Sequence, residues 1–130
     1  MTPEELKLRT KKFALRVMRM CKSLPKSREA DVIARQLLRC GTSVAANYRA
    51  ACRARSQADF ISKITVVEEE SDESAFWMEL IIEGEILKKS LVSALLQEAN
   101  ELTAIFTASG ETAKGNNNPQ FKIRNSQSKK

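Results

Sequence analysis

Phe60, Ile64, Val67, Ser71, Ser74, Met78 and Ile81 follow one another at alternating spacings of four and three, without interruption. Only a helix of about 3.6 residues per turn puts such positions on one face, whereas the strand period of two would scatter them over both sides of a sheet. The same spacing recurs in three other segments. Leu6, Phe13, Val17, Met20 and Leu24 form one stripe, Ala30, Ile33, Leu37, Val44, Tyr48 and Ala51 a second, and Leu95, Ala99, Leu102 and Phe106 a third. No strand pattern, internal repeat or glycine-rich phosphate loop competes with them. Four amphipathic helices joined by short breaks predict an all-α protein, an antiparallel up-down-up-down four-helix bundle. At 130 residues the chain is long enough for one core and too short for two.

Local signals set the expected boundaries. Thr2-Pro3-Glu4-Glu5 reads as a capping box with proline in the first turn, and Pro25 stops the first helix. The second is expected from about Ser27 to Ala54. Gly41 in its middle costs roughly 1 kcal/mol against alanine, so a close helix approach is the expected return. The third opens at Ser56-Gln57-Ala58-Asp59 and is expected to pass Gly84 and reach Lys89. The fourth, after a break near Ser90-Leu91, should end at Ser109-Gly110, with glycine as a left-handed cap. This assigns residues 1–111 to the bundle and 112–130 to a basic tail. The tail holds five Lys/Arg, no acid and too little apolar surface to order itself, and is expected to be disordered.

The chain has no histidine. Serine triads, HExxH zinc helices and the Glu-x-x-His pairs of di-iron bundles are thereby excluded. No catalytic residue, metal site or cofactor is expected, and binding or assembly is the better prior. Cys21, Cys40 and Cys52 are odd in number and lack C-x-x-C spacing, which favours reduced, packed thiols in a cytoplasmic protein. No apolar run reaches the roughly 18 residues of a membrane helix, and the first residues do not resemble a secretory signal.

Charge is strongly polarised. Met1–Arg55 carries fourteen Lys/Arg against four Asp/Glu, and Ser56–Glu111 three against twelve. Such a chain is suited to pair with itself, to attract a polyanion, or to do both. On the second helix Arg28, Arg35, Arg39, Arg49 and Arg53 project within about 80° of one another. With Arg16 and Arg19 of the first helix they are the candidate nucleic-acid contacts. A solvated face and a grip on a neighbouring subunit's carboxylates are the alternatives, because arginine serves both phosphate and carboxylate. Ser43, Ala46, Asn47, Ala50 and Ala54 form a small-residue face away from the core, and Phe76, Trp77 and Leu80 give the third helix a second apolar side. Both suggest subunit contacts. Glu69 and Glu73, in the acidic block Glu68-Glu69-Glu70-Ser71-Asp72-Glu73, are the candidate partners of the arginines rather than metal ligands.

Gln36-Leu37-Leu38-Arg39-Cys40-Gly41-Thr42-Ser43-Val44-Ala45-Ala46-Asn47, followed by Ser56-Gln57-Ala58-Asp59-Phe60-Ile61 and the acidic block, is similar to a known signature. It resembles that of the bacterial four-helix-bundle proteins encoded by intervening sequences within 23S ribosomal RNA genes. The likeness spans Phe13 to Ile105. It implies a homopentamer with a positively charged surface. A related branch, the accessory variability determinant of diversity-generating retroelements, implies nucleic acid and a reverse transcriptase as partners. Thr42, Ser43 and Asn47 are motif positions for packing or hydrogen bonds between helices, since the resemblance brings no catalytic residue. The familiar motif continues as an aliphatic residue and Glu-Gly, where this chain has Tyr48-Arg49-Ala50-Ala51. The inverted charge marks a distinct branch.

The function expected is therefore a non-enzymatic homo-oligomer binding RNA or DNA through a basic surface. The alternative is an oligomeric scaffold whose basic half is consumed by a neighbour's acidic half.

Overall fold

The computed structural model describes residues 1–117, and among them are four α-helices and no strand. They are α1 (Pro3–Ser23), α2 (Arg28–Ala51), α3 (Gln57–Glu83) and α4 (Lys89–Asn117). Helices adjacent in sequence pack side by side, and α1 touches α4 far more sparsely than the other neighbouring pairs touch one another. This is the up-down-up-down bundle that the four stripes require.

Each of the first three helices starts where a side chain can take an orphan backbone N–H. Thr2 Oγ1 accepts from the Glu5 N–H at 3.1 Å while the Glu5 carboxylate accepts from that of Thr2, completing the capping box. Ser27 and Ser56 accept from Ala30 and Asp59 in the same way.

The interior is the union of the four stripes, with Phe13, Val17, Leu37, Val44, Ile64, Met78, Leu102 and Phe106 wholly buried. Gly41 lets α1 and α2 close together, since a Cβ there would sit 2.7 Å from Val17 Cγ1. The two serines of the α3 stripe are buried and satisfied locally. Ser71 Oγ donates to the Val67 carbonyl at 2.8 Å, and Ser74 Oγ to that of Glu70 at 2.8 Å, beside Cys40 Sγ on α2. No buried side-chain polar atom is left without a partner among the described residues.

Four boundaries differ from expectation, the first being the start of α4 at Lys89, which puts Ser90 and Leu91, expected as a break, inside the helix. α2 stops at Ala51, with Cys52 as its cap. α3 stops at Glu83 instead of continuing to Lys89. There the Glu85 N–H reaches the Ile82 carbonyl at 3.0 Å and the Ile86 N–H that of Ile81 at 2.9 Å, the two bonds of a Schellman turn. Its left-handed residue is Glu85, at φ 57°, and not the adjacent Gly84. Ile86 then packs back on the core. α4 does not end at Gly110. That glycine is buried in the stripe, Ala113 behind it is buried as well, and Gln57 Nε2 donates to the Ala113 carbonyl at 2.9 Å. The helix thus takes in six residues assigned to the tail, and the remainder of that assignment, 118–130, lies outside the described residues.

Candidate nucleic-acid interface

The seven candidate arginines are spread along the α1–α2 side of the bundle. All are exposed except Arg16, which is half-buried. They do not act as one band: five of them fall into three groups with different neighbours, and Arg16 and Arg28 belong to none of these.

Arg39, at the middle of α2, is engaged within the chain. Its guanidinium donates to Glu70 at 3.1 Å and to Glu73, and its Nε to the Gln36 side chain at 3.2 Å. Glu73 also accepts the Trp77 indole N–H at 3.0 Å. This corrects two expectations. Glu73 meets an arginine of its own chain, with no neighbouring subunit needed. Glu69 meets none among the described residues, because it lies about 100° around the helix from Glu70 and faces outward, exposed. With Arg39 half in solvent the pair stabilises the fold by at most about 1 kcal/mol. Its effect is to neutralise the arginine.

The second group sits at the C-terminal end of α2, with Arg49 in its last turn and Arg53 just past its cap, not on the helix as expected. Arg49 and Arg53 line a cleft of about 610 Å³ between α1 and α2, together with Lys11, Thr42 and Ala46. They also line a cleft of about 620 Å³ on the α3 side, with Ala50, Arg55 and Lys63. The small side chains of Ala46 and Ala50 leave room between the two, so the arginines stand on a ridge open on both flanks. Each cleft has one carboxylate, already taken by a lysine: Glu4 by Lys7 at 2.8 Å, Asp59 by Lys63 at 2.5 Å. Asp59 is held below the usual carboxylate range by Lys63 and by the Arg55 backbone N–H. Lys11, Arg49 and Arg53 make no ion pair among the described residues.

The third group is Arg19 and Arg35. With Lys22 they edge a cleft between α1 and α2 whose floor is apolar: Leu15, Met18 and Leu38. Arg28 stands apart, exposed in the first turn of α2.

The motif residues bond within α2 and not across helices. Thr42 Oγ1 donates to the Leu38 carbonyl at 2.7 Å, and Asn47 Nδ2 to the carbonyl and hydroxyl of Ser43 at 2.9 and 2.6 Å. The Thr42 hydroxyl and the Asn47 amide N–H are thus turned to groups of their own helix. On α3, Trp77 and Leu80 pack half-buried against the core, whereas Phe76 is exposed and meets Trp77 edge-on at 5.1 Å. The second apolar side is therefore narrower than the sequence suggests.

One contact had no sequence signal. Arg9 of α1 clamps Glu98 of α4 with two bonds of 2.7 Å and reaches Glu101 at 3.0 Å. The partners are 89 and 92 residues apart in the chain.

Of the three thiols expected to be packed, Cys40 is buried and Cys21 half-buried, whereas Cys52 is exposed. Burial pushes the Cys21 and Cys40 thiols up to about 11, which keeps them protonated and unreactive. No cluster of metal-ligating side chains occurs among the described residues, and no helix there is long and apolar enough to cross a membrane.

The model of the family described as 23S rRNA-intervening sequence protein matches residues 5–108. The chain belongs to that family. A solved relative agrees: the crystal structure of a protein of unknown function from the S23 ribosomal protein family of Bacteroides thetaiotaomicron. It is 30% identical, covers 81% of this chain and 97% of its own, and superposes with a TM-score of 0.75. Comparison with curated proteins finds no match. In this intervening-sequence protein the matched region takes in all of α2 and α3, including the motif, the cationic ridge and the acidic block.

Proposed function

We propose that this intervening-sequence protein is a non-enzymatic, self-associating helical bundle that binds RNA or DNA through the ridge of Arg49 and Arg53. The resemblance noted from its sequence gives the subunit number as five. The observation that carries the reading is that Lys11, Arg49 and Arg53 converge on open clefts while the carboxylates beside them are bound to lysines. Clustered guanidinium groups without counter-charges suit phosphate. The family's description, which names ribosomal RNA, is compatible with it. Binding of this kind is largely independent of base sequence, since seven aromatic residues in 130 leave little for stacking.

Fluorescence anisotropy with a labelled DNA duplex and a labelled single-stranded RNA, over a range of salt concentrations, tests it. Each phosphate neutralised contributes about −0.9 to the slope of log affinity against log salt on duplex DNA, and about −0.7 on single strands. Arg49→Gln with Arg53→Gln is expected to weaken binding and flatten that slope by roughly one to two. Arg39→Gln, which removes a charge already neutralised by Glu70 and Glu73, is expected to leave it unchanged. An unaltered slope in the Arg49/Arg53 variant would remove the ridge as the phosphate site. If the wild type assembles yet binds neither probe, the scaffold reading takes its place.

A further inference from the structure

The ridge of Arg49 and Arg53 leaves two surface features unexplained, and they are complementary. One is the cleft between α1 and α2 floored by Leu15, Met18 and Leu38, which are 43%, 47% and 41% exposed. Three such side chains gathered in one cleft of about 540 Å³ are more than the scattered exposure of a monomer's surface requires. Its edge is cationic: Arg19, Lys22 and Arg35. The other is the outer face of α3, where Val66 and Phe76 are exposed along the same side as the outward carboxylates of Glu69 and Glu83. These four positions fall within about 100° on one side of the helix and run about 25 Å along it.

We infer that the acidic, apolar outer face of α3 in one copy lies in the cationic, apolar α1–α2 cleft of the next. The inference rests on the self-association in the reading above and specifies its geometry. Charge decides the pairing. Cleft against cleft sets Arg19, Lys22 and Arg35 against themselves, and α3 against α3 does the same with Glu69 and Glu83, whereas cleft against α3 matches apolar to apolar and cation to anion. The whole helices carry the same polarity: α3 has eight carboxylates and one lysine, α1 seven cations and two carboxylates. A contact between two different surfaces of one chain is head-to-tail, so the assembly is a closed ring or an open filament and not a twofold dimer. The cations of this cleft are then covered, while Arg49 and Arg53, eleven and fifteen residues beyond Leu38 at the C-terminal end of α2, stay open to a polyanion.

Complementation between variants tests it. Leu15→Glu with Met18→Glu spoils the cleft, and Phe76→Lys spoils the α3 face. All three positions are exposed and the new residues favour helix, so circular dichroism should show the fold intact. By light scattering the wild type is expected above the 14.6 kDa chain mass, and each variant alone at it. Their equimolar mixture is expected at twice that mass and no higher, through the one intact cleft meeting the one intact α3 face. A variant that retains wild-type assembly, or a mixture that stays monomeric, overturns this pairing while leaving self-association standing. A monomeric wild type overturns both. Should either variant lose its helical signal, Arg19→Glu with Arg35→Glu and Glu69→Lys with Glu83→Lys replace them. Each pair should disperse the oligomer alone, and both together in one chain should restore it.

Discussion

Two glycines in the same bundle have opposite reasons to be there. At Gly41 a Cβ would lie 2.7, 2.8 and 3.0 Å from three atoms of Val17, a wholly buried β-branched side chain with little freedom to turn aside. At Gly110 the nearest atom, Ile64 Cγ2, is 3.7 Å away, an ordinary contact. Alanine improves helix propensity at both by about 1 kcal/mol, but overpacking of about 1–3 kcal/mol opposes it only at Gly41. Gly110→Ala is therefore expected to stabilise the protein and Gly41→Ala to destabilise it, as read by urea unfolding. Trimming Val17 to alanine should cost less in the Gly41→Ala background than in the wild type, since the two side chains compete for one space. The Arg9 clamp belongs beside them. Hydrogen bonds to charged groups are worth about 1.5–3 kcal/mol, and this clamp joins the helix pair with the sparsest packing.

The turn between α3 and α4 shows how an element's end can be set by a residue poorly suited to it. The left-handed position of the Schellman turn falls on Glu85, where a side chain costs roughly 1–2 kcal/mol. Gly84 cannot move into that role without shifting the register by which Ile86 reaches the core. A Cβ on Gly84 would in turn press the Leu80 carbonyl at 2.8 Å, so the glycine serves a close approach. Glu85→Gly is expected to stabilise the fold by about 1 kcal/mol, a rise of several degrees in the thermal midpoint measured by calorimetry. A lowered midpoint would mean that the Glu85 side chain contributes more than its backbone strain takes away.

Taken whole, the molecule has a charge pattern insensitive to pH near neutrality. It has no histidine, and the Cys21 and Cys40 thiols are held up at about 11. The folded carboxyl of Asp59 is depressed by Lys63, so the stability from that contact is fully present above its unfolded value and lost only as pH falls through the lower folded one. Nucleic-acid affinity at constant ionic strength is therefore expected to be flat from about pH 5.5 to 7, where no unperturbed side chain of this chain titrates. A tenfold change across that range, measured by anisotropy, would point to a titrating group outside the ridge.

Period and capping chemistry are local, and what they govern was legible in the sequence. The four stripes, the starts of α1, α2 and α3 at Thr2, Ser27 and Ser56, and the close approach at Gly41 follow from residues within a few turns of one another. Family membership was legible too, because the α2 motif and the acidic block are contiguous runs. The candidate site was legible only as a supply of arginines. Which of them are free depends on what stands opposite in space, and that is settled by the rotation of α3 against α2: Glu70 and Glu73 face Arg39, and Glu69, one residue away, faces outward. The same holds for the ends misjudged from sequence. Gly84 and Gly110 are both residues that terminate helices, but Gly110 lies in a buried stripe where packing and the bond from Gln57 carry the helix onward. Glu85, with no propensity for the task, turns the chain because Ile86 must return to the core. Burial of a distant surface outweighs a local preference of about 1 kcal/mol, and no local window of sequence contains that surface.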